Sequence, residues 1–312
     1  MRYYPDPYKA IDLSALIDAV KAAFRDHGTN SCQMPPKTYI DLPGGDFRTM
    51  PAYVPGLKSA GVKIVNVHPD NHQHQLPTVM ALTILLDPQT GEPTAILNAT
   101  ALTDLRTGAS AAVATEALAS GKGGDVGLIG AGRQAAAGLR AIAKVYNILG
   151  VKVWSRNEHN AEKFAAAFPS YDIRVSNLKA AADAEVLLTT TPSRYPLVQD
   201  DWISDGTHIN AIGADAPGKQ ELDPRILARS QIFVDDITQA VHSGEVNVPL
   251  QKGLLLQGDI SGTLGEVIIG RKRRETPEEI TIFDSTGIAI TDLAIASLAQ
   301  TYSTYIDLPF NL

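Results

Sequence analysis

The sequence of 312 residues predicts an α/β protein with two domains. Over residues 125–234 short apolar segments alternate with helical ones, which predicts βαβ units and a doubly wound parallel sheet. Over residues 38–98 short segments are separated by Pro, Gly and Asp turns without long helices, which predicts a mostly antiparallel sheet. We therefore expect an N-terminal α+β domain formed by residues 1–118 with 289–312, and a parallel-sheet domain formed by residues 119–288.

The N-terminal domain is expected to begin with an amphipathic helix, because apolar residues recur at helical spacing over 13–24. The strands that follow are apolar or alternating and are bounded by turn residues. They are predicted at 38–42, 61–67, 79–86 and 94–98. A helix rich in Ala, Leu and Thr over 101–120 then leads out of this sheet.

The second domain is predicted from alternating strand and helix patterns. The predicted strands are 125–129, 151–155, 186–190, 208–212, 231–234 and 280–284, and the predicted helices are 134–146 and 160–168. A further Ala-rich helix over 289–302 is expected to return to the N-terminal domain.

Composition excludes several classes of protein. Hydrophobic residues make up 44% of the chain, charged residues make up 20%, and no apolar run has the length of a membrane span. The N-terminal residues lack the apolar region of a secretory signal, so we expect a cytoplasmic protein. A net charge of −7 argues against nucleic acid, and the basic run at 271–274 is interpreted as a solvated loop. The single cysteine, Cys32, lacks the neighbours of a zinc site, so no metal is expected.

A glycine-rich turn directly after the buried strand 125–129 carries the strongest functional signal. Its residues are Gly130, Ala131, Gly132, Arg133, Gln134 and Ala135. The first glycine allows the tight turn, the second lets backbone approach a pyrophosphate, and a small third residue lets helix pack on strand. An ordinary Gly-rich turn is the alternative, but the βαβ context favours a Rossmann-type dinucleotide site.

The end of the next strand bears on which dinucleotide is bound. NAD enzymes usually place a carboxylate there for the ribose hydroxyls, whereas this chain has Ser155 and Arg156. A guanidinium matches the geometry of a 2′-phosphate. The sequence therefore favours NADP(H), with NAD(H) as the alternative and an ordinary surface arginine as the third interpretation.

Several polar residues are candidates for substrate chemistry. Asp215 follows the strand 208–212 in a Gly- and Pro-rich loop, where an acid/base could lie. Lys37, Arg48 and Lys63 lie in compact contexts. Arg106 lies early on an otherwise apolar helix, where a cation opposes the helix dipole unless it has an anionic partner such as a cofactor phosphate or a substrate carboxylate. Taken singly, each cation is expected at the surface, and Lys63 in particular lies on the strand face opposite Val62 and Ile64, as an amphipathic strand would place it.

Over nearly its whole length the chain resembles the ornithine cyclodeaminase and mu-crystallin family, and within it the archaeal-type alanine dehydrogenases. The motifs that carry the resemblance are Met34-Pro-Pro-Lys37, Met50-Pro-Ala52, Val65-Asn-Val-His-Pro69, Leu76-Pro-Thr-Val-Met80, Leu105-Arg-Thr-Gly108, Gly130-Ala-Gly132, Thr189-Thr-Thr-Pro-Ser193, Ile212-Gly-Ala-Asp-Ala-Pro-Gly-Lys-Gln-Glu-Leu222 and Phe283-Asp-Ser-Thr-Gly287.

The resemblance implies a homodimer paired through the N-terminal substrate-binding domain, with an active site between that domain and the Rossmann domain. It implies that Lys63 and Arg106 hold a substrate carboxylate, that Lys37 faces the substrate and that Asp215 is the acid/base. Either Lys37 or Asp215 would then transfer the proton to or from the substrate nitrogen. The segments that the resemblance assigns to the cofactor comprise Thr78, Thr189, Thr190, Thr191, Pro192, Ser285, Thr286 and Gly287.

Two departures from the family pattern narrow the expected activity. Cyclodeaminases carry a glutamate for the distal amino group of ornithine where this chain has Arg48, which argues against ornithine. The segment Trp154-Ser-Arg-Asn157 is more similar to mu-crystallin, an NADPH-preferring ketimine reductase, than to the alanine dehydrogenases. The leading hypothesis is an alanine dehydrogenase acting on L-alanine or on pyruvate plus ammonia. The alternatives are a pyrroline-2-carboxylate-type ketimine reductase, an ornithine cyclodeaminase and a non-enzymatic NADPH-dependent binding protein.

Overall fold

The computed structural model describes residues 1–309. The strands in chain order are β1 (Arg2–Tyr4), β2 (Thr38–Leu42), β3 (Gly45–Val54), β4 (Ser59–Val67), β5 (Val79–Leu86), β6 (Pro93–Asn98), β7 (Gly123–Ile129), β8 (Asn147–Trp154), β9 (Ile173–Val175), β10 (Val186–Thr189), β11 (His208–Ala211), β12 (Ser230–Val234), β13 (Ile260–Thr263), β14 (Ile280–Asp284) and β15 (Ile306–Asp307). The α-helices are α1 (Leu13–Gly28), α2 (Thr100–Leu118), α3 (Arg133–Val145), α4 (Glu158–Ala166), α5 (Leu178–Ala182), α6 (Pro224–Ala228), α7 (Ile237–Ser243), α8 (Asn247–Gln251), α9 (Leu264–Ile268) and α10 (Ala289–Tyr302).

The chain folds into two compact units, which confirms the predicted α/β fold class of two different sheets. The first unit contains Met1–Arg106 and the described residues from Ile288 onward, and the second contains Thr107–Gly287. The division falls inside α2, whereas the sequence predicts a boundary after that helix. Within residues 1–309 no helix combines the length and the apolar character needed to cross a membrane.

The first unit is built on a seven-stranded sheet in the order β15-β1-β6-β5-β4-β3-β2. Its pairs are antiparallel except for β1 with β6, so the sheet is mostly antiparallel as predicted. Helix α10 packs on α1 and on β3, β4 and β5. The C-terminal helix therefore returns to the first unit and covers one face of its sheet.

The longest strand of this sheet, β3, is absent from the sequence prediction. Pro51 lies in its middle, and a proline cannot donate a backbone hydrogen bond to a neighbouring strand. The structure tolerates Pro51 because pairing with β2 stops at Thr49, so that β4 is the only strand paired with β3 at the proline.

The other face of the first sheet carries a contiguous apolar surface. The register places Ile64 beside Leu82, and Val62 beside Ile84, which in turn lies beside Ile96. Leu82 is 44% exposed and the other four are partly exposed. We call Val62, Ile64, Leu82, Ile84 and Ile96 the outer apolar face.

The second unit contains an eight-stranded sheet whose pairs are all parallel, in the order β13-β12-β14-β11-β10-β7-β8-β9. The chain order reverses between β7 and β10, which is where ligands bind in open parallel sheets. Apolar clusters pack on the sheet, one with α3 and α4 and another with α5 and α6. This is the doubly wound sheet that the sequence predicts.

One part of the basic run at 271–274 differs from the expected solvated loop. Arg271, Lys272 and Arg273 are exposed, but Arg274 is partly buried. Its guanidinium donates to the carbonyl oxygen of Leu118 at 2.7 Å and to the hydroxyl of Thr281 at 2.8 Å. Arg274 therefore satisfies the C-terminal end of α2, where a helix leaves carbonyl groups without intrahelical partners.

Candidate active site

The glycine turn after β7 has the geometry that a dinucleotide requires. Gly130 has a φ of +113°, and a Cβ atom there would lie 2.6 Å from the hydroxyl of Thr190, so only glycine fits. Gly132, at the N-terminus of α3, has open space where a Cβ would be. Ligand atoms can therefore approach the backbone N–H groups at the start of α3, which is the arrangement that holds a pyrophosphate.

Close packing of α3 on the sheet involves a residue that the sequence analysis did not single out. Ala135, predicted as the small third residue, is fully buried. Gly138, one helical turn later, packs directly against the sheet, since a Cβ on it would collide with the side chain of Leu188 on β10. At Gly108 a Cβ would lie 2.5 Å from the carbonyl oxygen of Ala137, so α2 also passes close to α3. The glycine of Leu105-Arg-Thr-Gly108 thus has a packing role.

The candidate residues for the 2′-position of the ribose lie beside the glycine turn. Gly130 N donates to the carbonyl oxygen of Trp154 at 2.8 Å, which holds the end of β8 against the turn. Ser155 and Arg156 follow at once, with Ser155 partly buried and Arg156 exposed. A cation in this position can contact a ligand phosphate while most of its side chain remains hydrated, so the desolvation cost of binding is small.

The other segments expected at the cofactor follow the ends of further parallel strands. Thr189, Thr190, Thr191 and Pro192 end and follow β10, and Thr190 N donates to the carbonyl oxygen of Ile129 at 2.9 Å. Ser285, Thr286 and Gly287 follow β14, and the N–H groups of Thr286 and Gly287 each donate to Asp235 at 2.7 Å. All lie at the carboxyl edge of the sheet, whereas Thr78 belongs to the first unit, immediately before β5.

Asp215 lies in the loop after β11, at the same edge of the sheet. Its side chain is 38% exposed and forms an ion pair with Lys219, a residue that the sequence analysis did not select. A partly exposed carboxylate can exchange protons with solvent as well as with a ligand, which an acid/base in a turnover cycle must do.

In the first unit the four candidate cations are buried. Lys37, Arg48, Lys63 and Arg106 are 9%, 5%, 1% and 6% exposed, respectively. The surface location expected for each cation from its local pattern alone is therefore wrong, whereas the family resemblance assigns these residues to the substrate. For Lys63 the reason is that α10 covers the face of β4 that carries the lysine and leaves Val62 and Ile64 partly exposed. Alternation predicts which residues share a face, but not which face is buried.

Asp292, in the first turn of α10, was missed by the sequence analysis. Its Oδ1 accepts a hydrogen bond from Lys63 Nζ at 2.8 Å and lies 3.0 Å from Arg106 Nε. Its side chain is 3% exposed, so the three charges are paired away from water. A buried charge needs such a partner, because desolvating an isolated ion is very unfavourable.

The ionisation of Lys63 reflects these surroundings. The pKa of Lys63 is lowered to about 7. Burial is the main cause, the positive charges of Arg106 and Lys37 act in the same direction, and the Asp292 carboxylate opposes them. The ammonium of Lys63 is therefore poised to lose its proton near neutral pH, far below the usual range for lysine.

Arg48 and Lys37 flank one aromatic ring. The guanidinium of Arg48 forms two hydrogen bonds with Asp46, at 2.7 Å from Nε and 3.1 Å from Nη2, and lies 5.0 Å from the centre of the Tyr39 ring. Lys37 Nζ lies 5.8 Å from the same ring. Buried cations of this kind, gathered on or next to neighbouring strands and on α2, can attract an anionic ligand.

The described residues, 1–309, hold no group of three or more His, Cys, Asp or Glu side chains arranged to bind a metal ion. The second unit is a Rossmann-type parallel sheet with a glycine turn of the dinucleotide-binding kind, and the first is a mixed sheet with buried cations. Residues 7–303 match the model of the ornithine cyclodeaminase/mu-crystallin family, and the chain belongs to this family.

Similar proteins include enzymes of amino- and imino-acid metabolism. The chain is 48% identical over 291 residues to an alanine dehydrogenase of Archaeoglobus fulgidus. The aligned region covers 92% of this chain and 90% of that protein. A solved archaeal alanine dehydrogenase dimer with bound NAD has 43% identity and a TM-score of 0.93, covering 98% of this chain and 99% of that one. The Thermococcus litoralis Δ1-pyrroline-2-carboxylate reductase in complex with NADH and L-proline has 33% identity and a TM-score of 0.93, covering 98% and 100%.

Proposed function

We propose that this chain is an NAD(P)(H)-dependent oxidoreductase that acts on the CH–NH2 or C=N group of a small α-amino or α-imino acid. The substrate pair that we propose is L-alanine and pyruvate plus ammonia. The observation that carries the proposal is the buried cluster of Lys63 and Arg106 oriented by Asp292, in a chain that is 48% identical to an alanine dehydrogenase.

The substrate carboxylate would bind to Lys63 and Arg106. Both side chains are already desolvated and oriented by Asp292, so a second carboxylate meets cations that need no further ordering. Arg106 can offer two N–H groups to one carboxylate, and Lys63 adds a compact positive charge. Arg48 is the third cation assigned to the substrate, and its pairing with Asp46 fixes its orientation.

The nicotinamide cofactor would be held by the glycine turn and by the segments that end β10 and β14. When bound, it supplies a hydride for the α-carbon of the imino acid. Pyruvate and ammonia would first condense to the imino acid with loss of water, and addition of the hydride to the α-carbon and of a proton to the imine nitrogen would then convert the C=N bond to CH–NH. We assign the transfer of this proton to Asp215 or Lys37, and orientation of the carboxylate to Lys63 and Arg106.

A panel of substrates tests this function by absorbance at the NAD(P)H band. We expect oxidation of reduced cofactor with pyruvate plus ammonia, and its reversal with L-alanine. Ketimine reduction is the second candidate, which the likeness to the Thermococcus litoralis reductase favours, and it would give oxidation with pyrroline-2-carboxylate instead. If neither substrate causes net oxidation of the cofactor but ornithine releases ammonia, the protein is an ornithine cyclodeaminase. If the protein binds the cofactor but turns over none of these substrates, the remaining hypothesis is a non-enzymatic NADPH-dependent binding protein.

Arg48 argues against ornithine as the substrate. Its guanidinium is buried and fixed by Asp46, and Lys37 lies on the same tyrosine ring. A distal ammonium placed there would meet two positive charges. We therefore prefer a substrate whose side chain is uncharged and small.

We propose that NADP(H) is preferred, on the strength of Ser155 and Arg156 at the end of β8. The solved relatives contain NAD or NADH, so a cofactor without the 2′-phosphate is the alternative. Both dinucleotides would use the same pyrophosphate site at Gly130 and Gly132.

Replacing Arg156 with Ala should therefore change cofactor choice. We expect kcat/KM for NADPH to fall roughly 10- to 100-fold, the effect of losing a charge-assisted hydrogen bond, with little change for NADH. The matched control is Arg174→Ala, which removes another exposed arginine of the second unit. Equal kcat/KM values for NADPH in the Arg156 variant and the wild type would contradict the assignment.

We further propose a homodimer in which the outer apolar face is covered by a second copy. The five side chains of that face form two adjacent rows on the sheet, which is an unusual surface for a chain to leave in water. The solved alanine dehydrogenase with 43% identity is a dimer. The partner that fits such a face is therefore this chain itself.

A further inference from the structure

At the carboxyl edge of the parallel sheet, one glutamate connects two of the loops assigned to the active site. Glu221 Oε1 accepts a hydrogen bond from Thr191 N at 2.6 Å, and Oε2 accepts one from Gly213 N at 2.9 Å. Thr191 belongs to the segment after β10 and Gly213 to the loop that carries Asp215. A single carboxylate therefore holds a cofactor segment and the acid/base loop together.

A second glutamate holds the first. Both carboxylate oxygens of Glu245 accept from Glu221 N, at 2.9 and 3.0 Å, and Oε1 also accepts from Leu222 N at 2.7 Å. The segment that carries Glu245 is held in turn by Asp284, the last residue of β14, which accepts from Glu245 N at 2.9 Å and Val246 N at 3.2 Å. We call Glu221, Glu245 and Asp284 the carboxylate ladder.

Glycines make room for two members of the ladder. A Cβ on Gly213 would collide with the carboxylate of Glu221 and with the carbonyl oxygen of Thr191. A Cβ on Gly244 would collide with the carboxylate of Asp284. The backbone thus approaches each carboxylate to a distance that no other residue type allows, which is typical of a contact with a defined geometry.

The ladder is buried and is bonded mainly to backbone. Glu221, Glu245 and Asp284 are each 0% exposed. Among residues 1–309 no cation forms an ion pair with Glu221 or Glu245, and their oxygens accept hydrogen bonds from the backbone N–H groups of Thr191, Gly213, Glu221 and Leu222. Burial raises the pKa of Glu221 to about 7, and burial together with repulsion from Glu221 and Asp284 raises the pKa of Glu245 well above its usual range. Such burial is unfavourable in itself, and a sheet needs no carboxylate for its stability.

We propose that Glu221 is a positioning residue that sets the distance between the Thr191 segment and the Asp215 loop, and that Glu245 and Asp284 fix Glu221 in place. This inference rests on the proposed function, since it assigns the cofactor to the first segment and proton transfer to the second. Glu221 itself need not touch substrate or cofactor. Its effect is transmitted through the backbone of Thr191 and Gly213.

Glu221→Gln is the variant that tests the inference. The amide has the same shape but presents an NH2 group to a backbone N–H, so one of the two hydrogen bonds is lost and two donors face each other. We expect kcat to fall about 100-fold, as for a misplacement of about 1 Å at a reacting centre, and the Kd of the reduced cofactor to rise about tenfold. The matched control is Glu185→Gln, because Glu185 also accepts a backbone hydrogen bond, from Asp125 N at 2.8 Å, at the amino edge of the sheet.

Amide hydrogen exchange separates this inference from the proposed function. The peptide that contains Thr191 and the peptide that contains Gly213 should each exchange faster in the Glu221 variant than in the wild type. In the Glu185 variant their exchange rates should equal those of the wild type. Exchange and cofactor Kd do not depend on the substrate, so they test the positioning even if pyruvate is not turned over. If Glu221→Gln does not fold, Glu221→Asp, which keeps both acceptors on a shorter side chain, takes its place.

A double-mutant cycle with Glu245→Gln distinguishes positioning from a loss of fold stability. If the ladder acts as one unit, the two substitutions should affect kcat less than additively when each protein is assayed well below its unfolding temperature. Unchanged kcat, cofactor Kd and exchange in the folded Glu221 variant would overturn the inference. So would faster exchange with unaltered cofactor binding and turnover.

Discussion

Replacing Asp215 with Asn should reduce kcat by about three orders of magnitude, within the range for loss of a general acid or base, and leave the Kd of the cofactor nearly unchanged. The reason is that Asn keeps the size and the loop geometry of Asp215 but can neither take up nor release a proton. The ion pair with Lys219 would also be lost. Steady-state rates with pyruvate plus ammonia, and a fluorescence titration with the reduced cofactor, provide the two readouts.

The matched control for this substitution is Asp205→Asn, since Asp205 is an aspartate of the same unit with an 81% exposed side chain. Its variant should behave as wild type. Lys37→Met separates the two candidates for proton transfer, because it removes the other proton donor without touching the Asp215 loop. Wild-type turnover in the Asp215 variant together with its collapse in the Lys37 variant would move the acid/base role to Lys37.

Replacing Lys63 with Met should raise the KM for pyruvate about 100-fold, the size of effect found when one partner of a buried charge pair is removed. The aliphatic part of the side chain is retained, so the packing of β4 under α10 changes little. The exposed Lys9→Met, in the same unit, is the control. An unchanged KM would show that the carboxylate binds elsewhere.

The same lysine should make carboxylate binding dependent on pH. Only the protonated ammonium attracts a carboxylate, and the pKa of Lys63 is lowered to about 7 by burial, so affinity should be highest below that pH and should fall as the pH rises through it. Asp292 on α10 opposes this loss of the proton, whereas Arg106 and Lys37 favour it. Propanoate, which cannot react, reports the affinity by quenching of cofactor fluorescence. The dependence should disappear in the Lys63 variant.

Local sequence patterns predicted those parts of the fold that local physics determines. Periodicity and turn residues predicted the exact bounds of β2, β5, β14 and α10. The glycine turn was predicted because a buried strand is followed directly by a helix. The strand β3 was missed because Pro51 is unfavourable in a strand unless a neighbour is absent, and only the register of the sheet shows that β2 has ended.

The candidate site was harder to predict because its charges are set by distant residues. Lys63 and Asp292 are separated by 229 positions, and nothing in the Ala-rich pattern of α10 indicates that its aspartate pairs with a lysine on β4. Without that partner, an alternating strand with a lysine is interpreted as amphipathic. Glu221 lies in the motif that ends at Leu222, but its role depends on Thr191 and Gly213, which come together only when parallel strands align.

Transfer of deuterium tests the central claim most directly. Reduced cofactor that carries deuterium at both C4 positions of the nicotinamide is incubated with the protein, pyruvate and ammonia, and the amino-acid product is analysed by mass spectrometry and NMR. We expect alanine with one deuterium on the α-carbon for each cofactor oxidised. Failure to form labelled amino acid from pyruvate or from pyrroline-2-carboxylate, with a protein that binds the cofactor, would contradict hydride transfer to the α-carbon.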